Sequence, residues 1–246
     1  MVRKLVYSVL CIAALVAAMS FSPPPNGKLL IHFENYVDDA LLKLDSATYK
    51  NSLGQTYKVT MFKYYVGNFH LMNLAGKEFV SAGYFLINQD DESSMQIKLD
   101  NIPEGKHISV SFTLGVDSAD NCSGAQSGAL DPVNGMFWAW NSGYIFLKME
   151  GISSVSNSTG KRLEFHIGGY KEPNNCIRKI QLKFNNPLKI GEGNTSVVEI
   201  KADVNHLFSD PDPVDFSKLS SVTDFHNAKA IADKYSTMFS VMDTGK

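Results

Sequence analysis

Hydrophobic and polar residues alternate along most of the chain in short runs that turn residues separate. Such alternation predicts β-strands with one buried face. Val, Ile, Phe, Tyr and Thr are frequent in the runs, and pairs such as Asn26-Gly27 and Asp131-Pro132 interrupt them. The pattern predicts strands over residues 28–34, 56–73, 79–87, 107–115, 136–149, 162–168, 177–184 and 196–206. We expect the second of these strands to bend near Gly67.

The C-terminal stretch alone shows a helical period. Asp224 or Asn227 is placed to cap this helix. Its apolar positions recur at helical spacing, at Ala228, Ile231, Ala232, Tyr235, Met238 and Phe239. Many short strands without intervening helices predict an all-β fold, an antiparallel β-sandwich with a short C-terminal helix. We found no internal repeat, so residues 21–246 are expected to form a single domain.

The N-terminus has the pattern of a secretory signal peptide. Arg3 and Lys4 precede an apolar run over residues 5–16, and small residues follow as far as Ser20. This order of charged, apolar and small segments predicts a signal peptide over residues 1–20. An uncleaved membrane anchor is the alternative, because the run is short but apolar. The mature protein is expected to be exported and to contact a membrane only through the signal segment.

Composition and cysteine count narrow the classes of protein. The 246-residue chain is 44% hydrophobic and has a net charge of -2, which suits a globular protein and gives no reason to propose nucleic acid as a partner. Export leaves Cys122 and Cys176, an even count in an oxidising compartment, and this favours one disulfide. Two free thiols, or a thiolate metal site, are the competing interpretations. Both cysteines lie in turn-rich segments, which suits a covalent link between loops.

The sequence contains no motif of a hydrolase, a zinc protease or a nucleotide-binding enzyme, so we expect no catalytic activity. The histidines lack H-x-H or H-x₃-H spacing, and a metal site would have to be assembled from distant strands. Imidazole suits copper, zinc and nickel. By strand parity His206 ends the apolar face of residues 198–204, whereas His166 shares a face with Arg162 and Glu164. The parity of His32 leaves its facing open.

Both tryptophans of the chain stand one residue apart. If residues 136–149 form one strand, Trp138, Trp140, Ser142 and Tyr144 lie on one face of it. Aromatic packing in the core is the interpretation that the residues favour. A row of exposed rings that binds a sugar or a peptide is the alternative.

Several segments resemble the MbnP-like family, periplasmic bacterial proteins associated with methanobactin-type copper handling. The most distinctive segment is S-G-A-L-D-P-V-N-G-M-F-W-A-W-N-S-G-Y-I-F-L-K-M-E-G over residues 127–151. The others are residues 48–71, F-T-L-G-V-D at 112–117, F-H-I-G-G at 165–169 and I-A-D-K-Y-S-T-M-F at 231–239. Together they span most of the mature chain in order, and they imply a β-rich fold and a location in the periplasm or on the outer surface of a bacterium.

The resemblance also implies a chemistry. In copper-binding members of the family one tryptophan is oxidised to kynurenine beside histidines that bind the metal, and a di-haem enzyme of the MauG type is thought to carry out the oxidation. Here the tryptophan would be Trp138 or Trp140. His166 is the best-matched histidine, and His32 in the first strand is a second candidate. His206 and His226 are possible additional ligands, and the family also fits a disulfide between Cys122 and Cys176.

Three hypotheses follow from the sequence. The first is an exported, non-catalytic copper-binding protein with the ligands named above. The second is a secreted binding module that uses an exposed aromatic face for a carbohydrate, a peptide or a surface partner. The third, which has the least support, is a secreted hydrolase built on scattered carboxylates.

Overall fold

The computed structural model describes residues 26–138, 143–209, 211–225 and 227–245. The predicted signal peptide therefore lies outside the described residues. Two β-sheets stack face to face as a sandwich. The strands are β1 (Asn26–Val37), β2 (Ala40–Leu41), β3 (Tyr49–Lys50), β4 (Thr56–Asn73), β5 (Glu78–Asn88), β6 (Gln96–Pro103), β7 (Gly105–Leu114), β8 (Phe137–Trp138), β9 (Gly143–Ile152), β10 (Arg162–Gly168), β11 (Arg178–Ile190), β12 (Thr195–Asp203), β13 (Ser221–Val222) and β14 (Phe239–Gly245).

The first sheet has the order β14-β12-β1-β2, and β6 also pairs with β1. Its central pair is parallel, with Lys28 opposite Thr195 at one end and Tyr36 opposite Asp203 at the other. The predicted β-sandwich is confirmed, but its sheets are mixed rather than antiparallel throughout, since this pair and the pair β10 with β13 are parallel. After β1 the chain crosses to the second sheet, and it enters β12 in the same direction as β1, which is the long crossover that parallel strands need.

The second sheet is organised by the long strand β4. Its order is β11-β7-β4-β9-β10-β13, and β3 and β5 pair with β4 as well. Residues 58–64 of β4 pair with β9, and residues 66–73 pair with β7. The register shifts between Gly67 and Phe69, so the predicted bend near Gly67 is confirmed. The predicted bounds of β4 and β10 agree with the structure.

Two predicted strands end earlier than the alternation suggested. Residues 136–149 do not form one strand, because Trp138 of β8 pairs antiparallel with Gly143 of β9. Residues 196–206 end as a strand at Asp203 and continue as a 3₁₀ helix over Val204–Phe208. The expected C-terminal helix, α2, spans Ala228–Tyr235 with Asn227 at its N-cap position.

The segment between β7 and β8 covers the outer face of the second sheet. It contains a short helix, α1 (Ser118–Cys122). Tyr65 of β4 faces away from the first sheet, because its neighbour Tyr64 contacts Phe33 of β1. The Tyr65 hydroxyl donates to the carbonyl of Ala129, 2.9 Å away, which holds the covering segment against the sheet.

A buried hydrogen bond connects the two sheets. Asn35 of β1 is 2% exposed and Tyr64 of β4 is fully buried. The Tyr64 hydroxyl donates to Asn35 Oδ1 at 2.9 Å, and Asn35 Nδ2 donates to Gln89 Oε1 at the same distance. Burial raises the pKa of the Tyr64 hydroxyl well above its usual value, so the hydroxyl remains a donor. The pair therefore satisfies two polar groups inside the apolar core.

Within the residues that the structure describes, no helix is long and apolar enough to cross a membrane.

We expect Tyr64→Phe to lower the free energy of unfolding by about 1–2 kcal/mol, because Asn35 Oδ1 loses its donor inside the core. Chemical denaturation measures the change. Tyr36→Phe is the matched control on the outer side of β1, where the hydroxyl lies 3.2 Å from Glu34. Equal effects of the two substitutions would contradict the assignment of the buried hydrogen bond.

Candidate functional site

Trp138 is enclosed at one end of the sandwich. It is 1% exposed, and its ring packs edge-on against Phe225 with 5.6 Å between the ring centroids. Within the described ranges its indole Nε1 has no hydrogen-bond partner. A buried donor without an acceptor is uncommon, because desolvating it costs about 1–3 kcal/mol. The position therefore combines tight packing with an unused polar atom.

Gly168, at the end of β10, makes room for the indole. A Cβ at this residue would lie 2.7 Å from Trp138 Cζ3 and 2.5 Å from the carbonyl oxygen of Tyr144. Side chains do not approach at such distances, so glycine is required for the ring to lie against β10. The Gly-Gly pair that follows His166 in the sequence thus has a packing role.

His166 lies two residues before Gly168 and faces the outer side of the second sheet, since the neighbouring Phe165 packs against Phe208 in the core. Its imidazole is largely buried, with 14% of the side chain exposed, and Nε2 lies 2.9 Å from Glu150 Oε1. Burial and the nearby Lys148 ammonium lower the pKa of the imidazole, although Glu150 acts in the opposite direction. The ring is therefore neutral at neutral pH.

Opposing effects act on the pKa of the Glu150 carboxyl. Burial opposes its ionisation, but hydrogen bonding from His166 and the charge of Lys148 hold the pKa of the carboxyl below its usual value. Lys148 Nζ lies 3.3 Å from Glu150 Oε1. Glu150 therefore accepts as a carboxylate, and His166 Nε2 is the atom that donates. Nδ1 is then the ring nitrogen with a free lone pair.

Trp138 contacts two separate segments of the chain. Its ring lies against Gly168, two residues after His166, and against Phe225. Phe225 directly precedes His226 in the sequence. His226 and Trp140 themselves lie outside the described residues.

The structure does not bring His32 to this place. His32 belongs to β1 in the first sheet, opposite Glu199 of β12 and Gln96 of β6. It faces outward, because its neighbour Phe33 contacts Phe112 across the core. His166 is on the outer face of the other sheet, so the sandwich, with sheets roughly 10 Å apart, separates the two imidazoles.

His206 is also distant from Trp138. It is exposed, and its Nδ1 lies 3.0 Å from Thr237 Oγ1 just beyond the end of α2. Phe225 is just before the start of that helix, whose eight residues span about 12 Å. The parity argument that placed His206 on an apolar face was wrong because the strand ends at Asp203.

Among the described residues no group of three or more His, Cys, Asp or Glu side chains is arranged to hold a metal ion. The expected disulfide is not formed either, since both cysteines are free thiols. Cys122 is exposed, with Sγ 3.5 Å from the Tyr170 hydroxyl. Cys176 is buried, and its Sγ lies 3.4 Å from the carbonyl of Asn174. Burial raises the pKa of the Cys176 thiol to about 11, so it remains protonated.

The alternative interpretation, a row of exposed aromatic rings, is not found among the described residues. Trp138 and Tyr144 are each 1% exposed, and they lie on different strands. The Tyr144 ring packs against Phe137 and Tyr65. Core packing, which the residues favoured, is therefore the arrangement of both side chains.

The model of the MbnP family matches residues 26–226 of the chain. The chain belongs to the MbnP family. The match begins after the predicted signal peptide and includes both segments that enclose Trp138. A search of curated proteins found no match.

A solved structure supports the fold of this MbnP-family chain. MbnP from Methylosinus trichosporium is 17% identical, and the similarity covers 78% of this chain and 80% of that one with a TM-score of 0.52. Identity this low supports the shared fold alone. The site residues must therefore be argued from the chain's own geometry.

Sequence reasoning missed Glu150 as a site residue. It lies in K-M-E at 148–150, where Lys148 and Glu150 share one face of β9 and reach His166 on the neighbouring strand. The spacing of two residues was visible in the sequence, but the pairing of β9 with β10 was not.

We expect Gly168→Ala to lower the free energy of unfolding by about 1–3 kcal/mol, because the added methyl overlaps the indole and a backbone carbonyl. Gly245→Ala is the control, since a Cβ there meets nothing within 4 Å. Urea denaturation compares the two variants. An unchanged Gly168→Ala midpoint would show that Trp138 does not pack on β10.

The stability of the fold should depend on the protonation of His166. Its pKa in the folded chain is below the ordinary 6.5, so the unfolded chain binds a proton at a higher pH. The stabilisation that the neutral imidazole of His166 gives the fold is complete above about pH 6.5. It is lost as the pH falls toward the pKa of His166 in the folded chain. When the pH is lowered from about 7.5 to about 5.5, the unfolding midpoint of the natural protein should therefore decrease by more than that of His166→Gln. Equal pH dependence of the natural protein and His166→Gln would contradict this assignment. The stabilisation that the Glu150 carboxylate contributes is lost only at lower pH, below 4.5.

Proposed function

We propose that the protein is an exported, non-catalytic copper-binding member of the MbnP family, with the metal held beside Trp138. His166 and His226 are the proposed ligands. The observation that carries the proposal is the packing of Trp138 between Gly168, two residues after His166, and Phe225, one residue before His226. His32 and His206 are omitted because they lie on other parts of the fold.

The pairing of His166 with Glu150 supports a ligand role. A metal-binding histidine usually donates its other ring N–H to a carboxylate, which sets the tautomer and the orientation of the ring. Glu150 occupies that position at 2.9 Å from Nε2. The lowered pKa keeps the imidazole neutral, which is the form that binds metals. Nδ1 is thus the proposed coordinating atom.

Both proposed ligands are imidazoles, and this type of donor suits copper. Two imidazoles are a sufficient donor pair for a copper ion, and imidazole binds copper more strongly than most divalent metals. Bound copper would be cargo or a redox-active ion. His166 and His226 would hold it, Glu150 would orient His166, and the packing around Trp138 would exclude water from the indole.

We also propose that Trp138 or Trp140 is oxidised to kynurenine by a di-haem enzyme of the MauG type. The reaction cleaves the indole C2–C3 bond with two oxygen atoms from the enzyme's dioxygen- or peroxide-level oxidant, which gives an aryl ketone and an N-formyl group. Water then hydrolyses the N-formyl group, so that C2 leaves as formate and a primary aryl amine remains. Trp138 Nε1 has no hydrogen-bond partner among the described residues, and this supports a polar role for the ring. The proposed site of action is the periplasm or the outer surface of a bacterium, as the signal-like residues 1–20 suggest.

The ligands are tested by measuring copper affinity against a competing chelator. We expect His166→Ala and His226→Ala to weaken affinity at least about tenfold, and Glu150→Gln to weaken it by up to about tenfold. His70→Ala is the matched control, because its imidazole also lies near a carboxylate, 3.1 Å from Glu78, but on the β4–β5 hairpin. Unchanged affinity in His166→Ala would exclude that ligand.

The modification is tested by the intact mass of protein from its native host. Conversion of one tryptophan to kynurenine adds about 4 Da, and fragmentation locates it at residue 138 or 140. We expect the shift in protein from the native host and none when the partner enzyme is deleted. An unmodified mass in the native host would leave both tryptophans as packing residues.

A further inference from the structure

Lys148 places a positive charge beside the proposed copper ligand His166. The two residues lie directly opposite each other on the antiparallel strands β9 and β10. The Lys148 ammonium is 3.3 Å from Glu150 Oε1, the same oxygen that accepts a hydrogen bond from His166 Nε2 at 2.9 Å. A single carboxylate oxygen therefore connects this cation to the imidazole.

The three side chains are largely shielded from water. Only 16% of Lys148, 30% of Glu150 and 14% of His166 are exposed. Charges that are partly withdrawn from water are screened less than those of exposed ion pairs. Burial is the first cause of the lowered pKa of His166, and the charge of Lys148 is the next. The ammonium thus acts on the imidazole as well as on the carboxylate.

The other charges on this face of the sheet do not cancel that of Lys148. Glu164 lies opposite Glu150, but it forms its own ion pair with Arg162 at 3.7 Å. Lys63 of β4 lies opposite Lys148 on the other side of β9 and adds a second ammonium. Lys63, Lys148 and Glu150 together therefore carry one net positive charge.

A cation at this place acts differently on the two oxidation states of copper. Cu(II) carries twice the charge of Cu(I), so the ammonium repels Cu(II) more strongly. Lys148 also shares the Glu150 carboxylate with His166, and a carboxylate that is partly neutralised makes the imidazole a weaker donor. Both effects weaken the binding of Cu(II) more than the binding of Cu(I).

We infer that Lys148 is a specificity-determining residue that biases the proposed copper site toward Cu(I). The inference rests on the proposed function, because it requires His166 to be a copper ligand. Lys148 does not bind the metal and acts through its charge and through Glu150. Without this ammonium, the Glu150 carboxylate would accept from His166 alone, and the site would bind Cu(II) relatively better.

A purely structural role of Lys148 can be separated with Lys63. Lys148 Nζ donates to the carbonyl of Gly135 at 3.3 Å, and Lys63 Nζ donates to the carbonyl of Asn134 at 3.4 Å. Both lysines therefore anchor the turn that precedes β8. Lys63 is one strand farther from His166, so its removal tests the anchor with much less effect on the charge at the imidazole.

The test measures the association constants for Cu(I) and for Cu(II) separately in the full mature chain. A Cu(I) chelator competes without oxygen in the presence of ascorbate, which supplies the electron that converts Cu(II) to Cu(I), and a Cu(II) chelator competes without ascorbate. We expect Lys148→Met to raise the ratio of the Cu(II) constant to the Cu(I) constant about three- to tenfold. Lys148→Arg keeps the charge and should retain the natural ratio, and Lys63→Met should change the ratio by less than about twofold.

Lys148→Gln is a second neutral variant, and the same increase is expected for it, so the result does not depend on the folding of Lys148→Met. Equal ratios in the neutral Lys148 variants and in Lys63→Met would overturn the inference and leave Lys148 as an anchor of the turn. Normal copper binding with an unchanged ratio would overturn this inference alone. Absence of copper binding by the natural protein would overturn the proposed function and this inference together.

Discussion

The arrangement of the molecule depends on β4, a single strand that pairs with different partners along its two halves. Its first half pairs with β9, and its second half pairs with β7 on the same edge, while β5 occupies the opposite edge. This division requires a local bend at Gly67, where a Cβ would lie 2.7 Å from Tyr84 Cδ1. The first half thereby supports the strands that carry Trp138 and His166, and the second half pairs with β5 and β7.

Trp138 combines a packing role with a proposed chemical role. Burying an indole stabilises the fold through a large apolar area, and Gly168 permits the close approach. Among the described residues Nε1 has no partner, and burying such a donor costs roughly 1–3 kcal/mol, which a core residue such as Phe would avoid. His166 is held by Glu150 on the adjacent outer face, so the indole and the imidazole are positioned by neighbouring residues of β10.

Local alternation predicted the strands well where one face is buried and failed where the chain changes direction. β4 and β10 have the predicted bounds because their apolar residues pack on the first sheet throughout. Residues 136–149 were predicted as one strand, yet Trp138 of β8 pairs with Gly143 of β9, and alternation does not reveal this pairing because both strands are apolar. β6 was not predicted, since its exposed positions Lys98, Asp100 and Asn101 make the segment polar. The parallel pairing of β1 with β12 joins residues more than 160 positions apart, and no local pattern encodes it.

The sequence by itself determined the β-rich class, the C-terminal helix, the outward facing of His166 and the family to which the chain belongs. These follow from period, parity and a long shared motif, all of which are local properties. Only the tertiary structure decided that His32 and His206 lie away from Trp138, that both cysteines are free and that Glu150 holds His166. Contacts of this kind depend on which strands are neighbours, and strand order is set by the packing of the whole core rather than by any single segment.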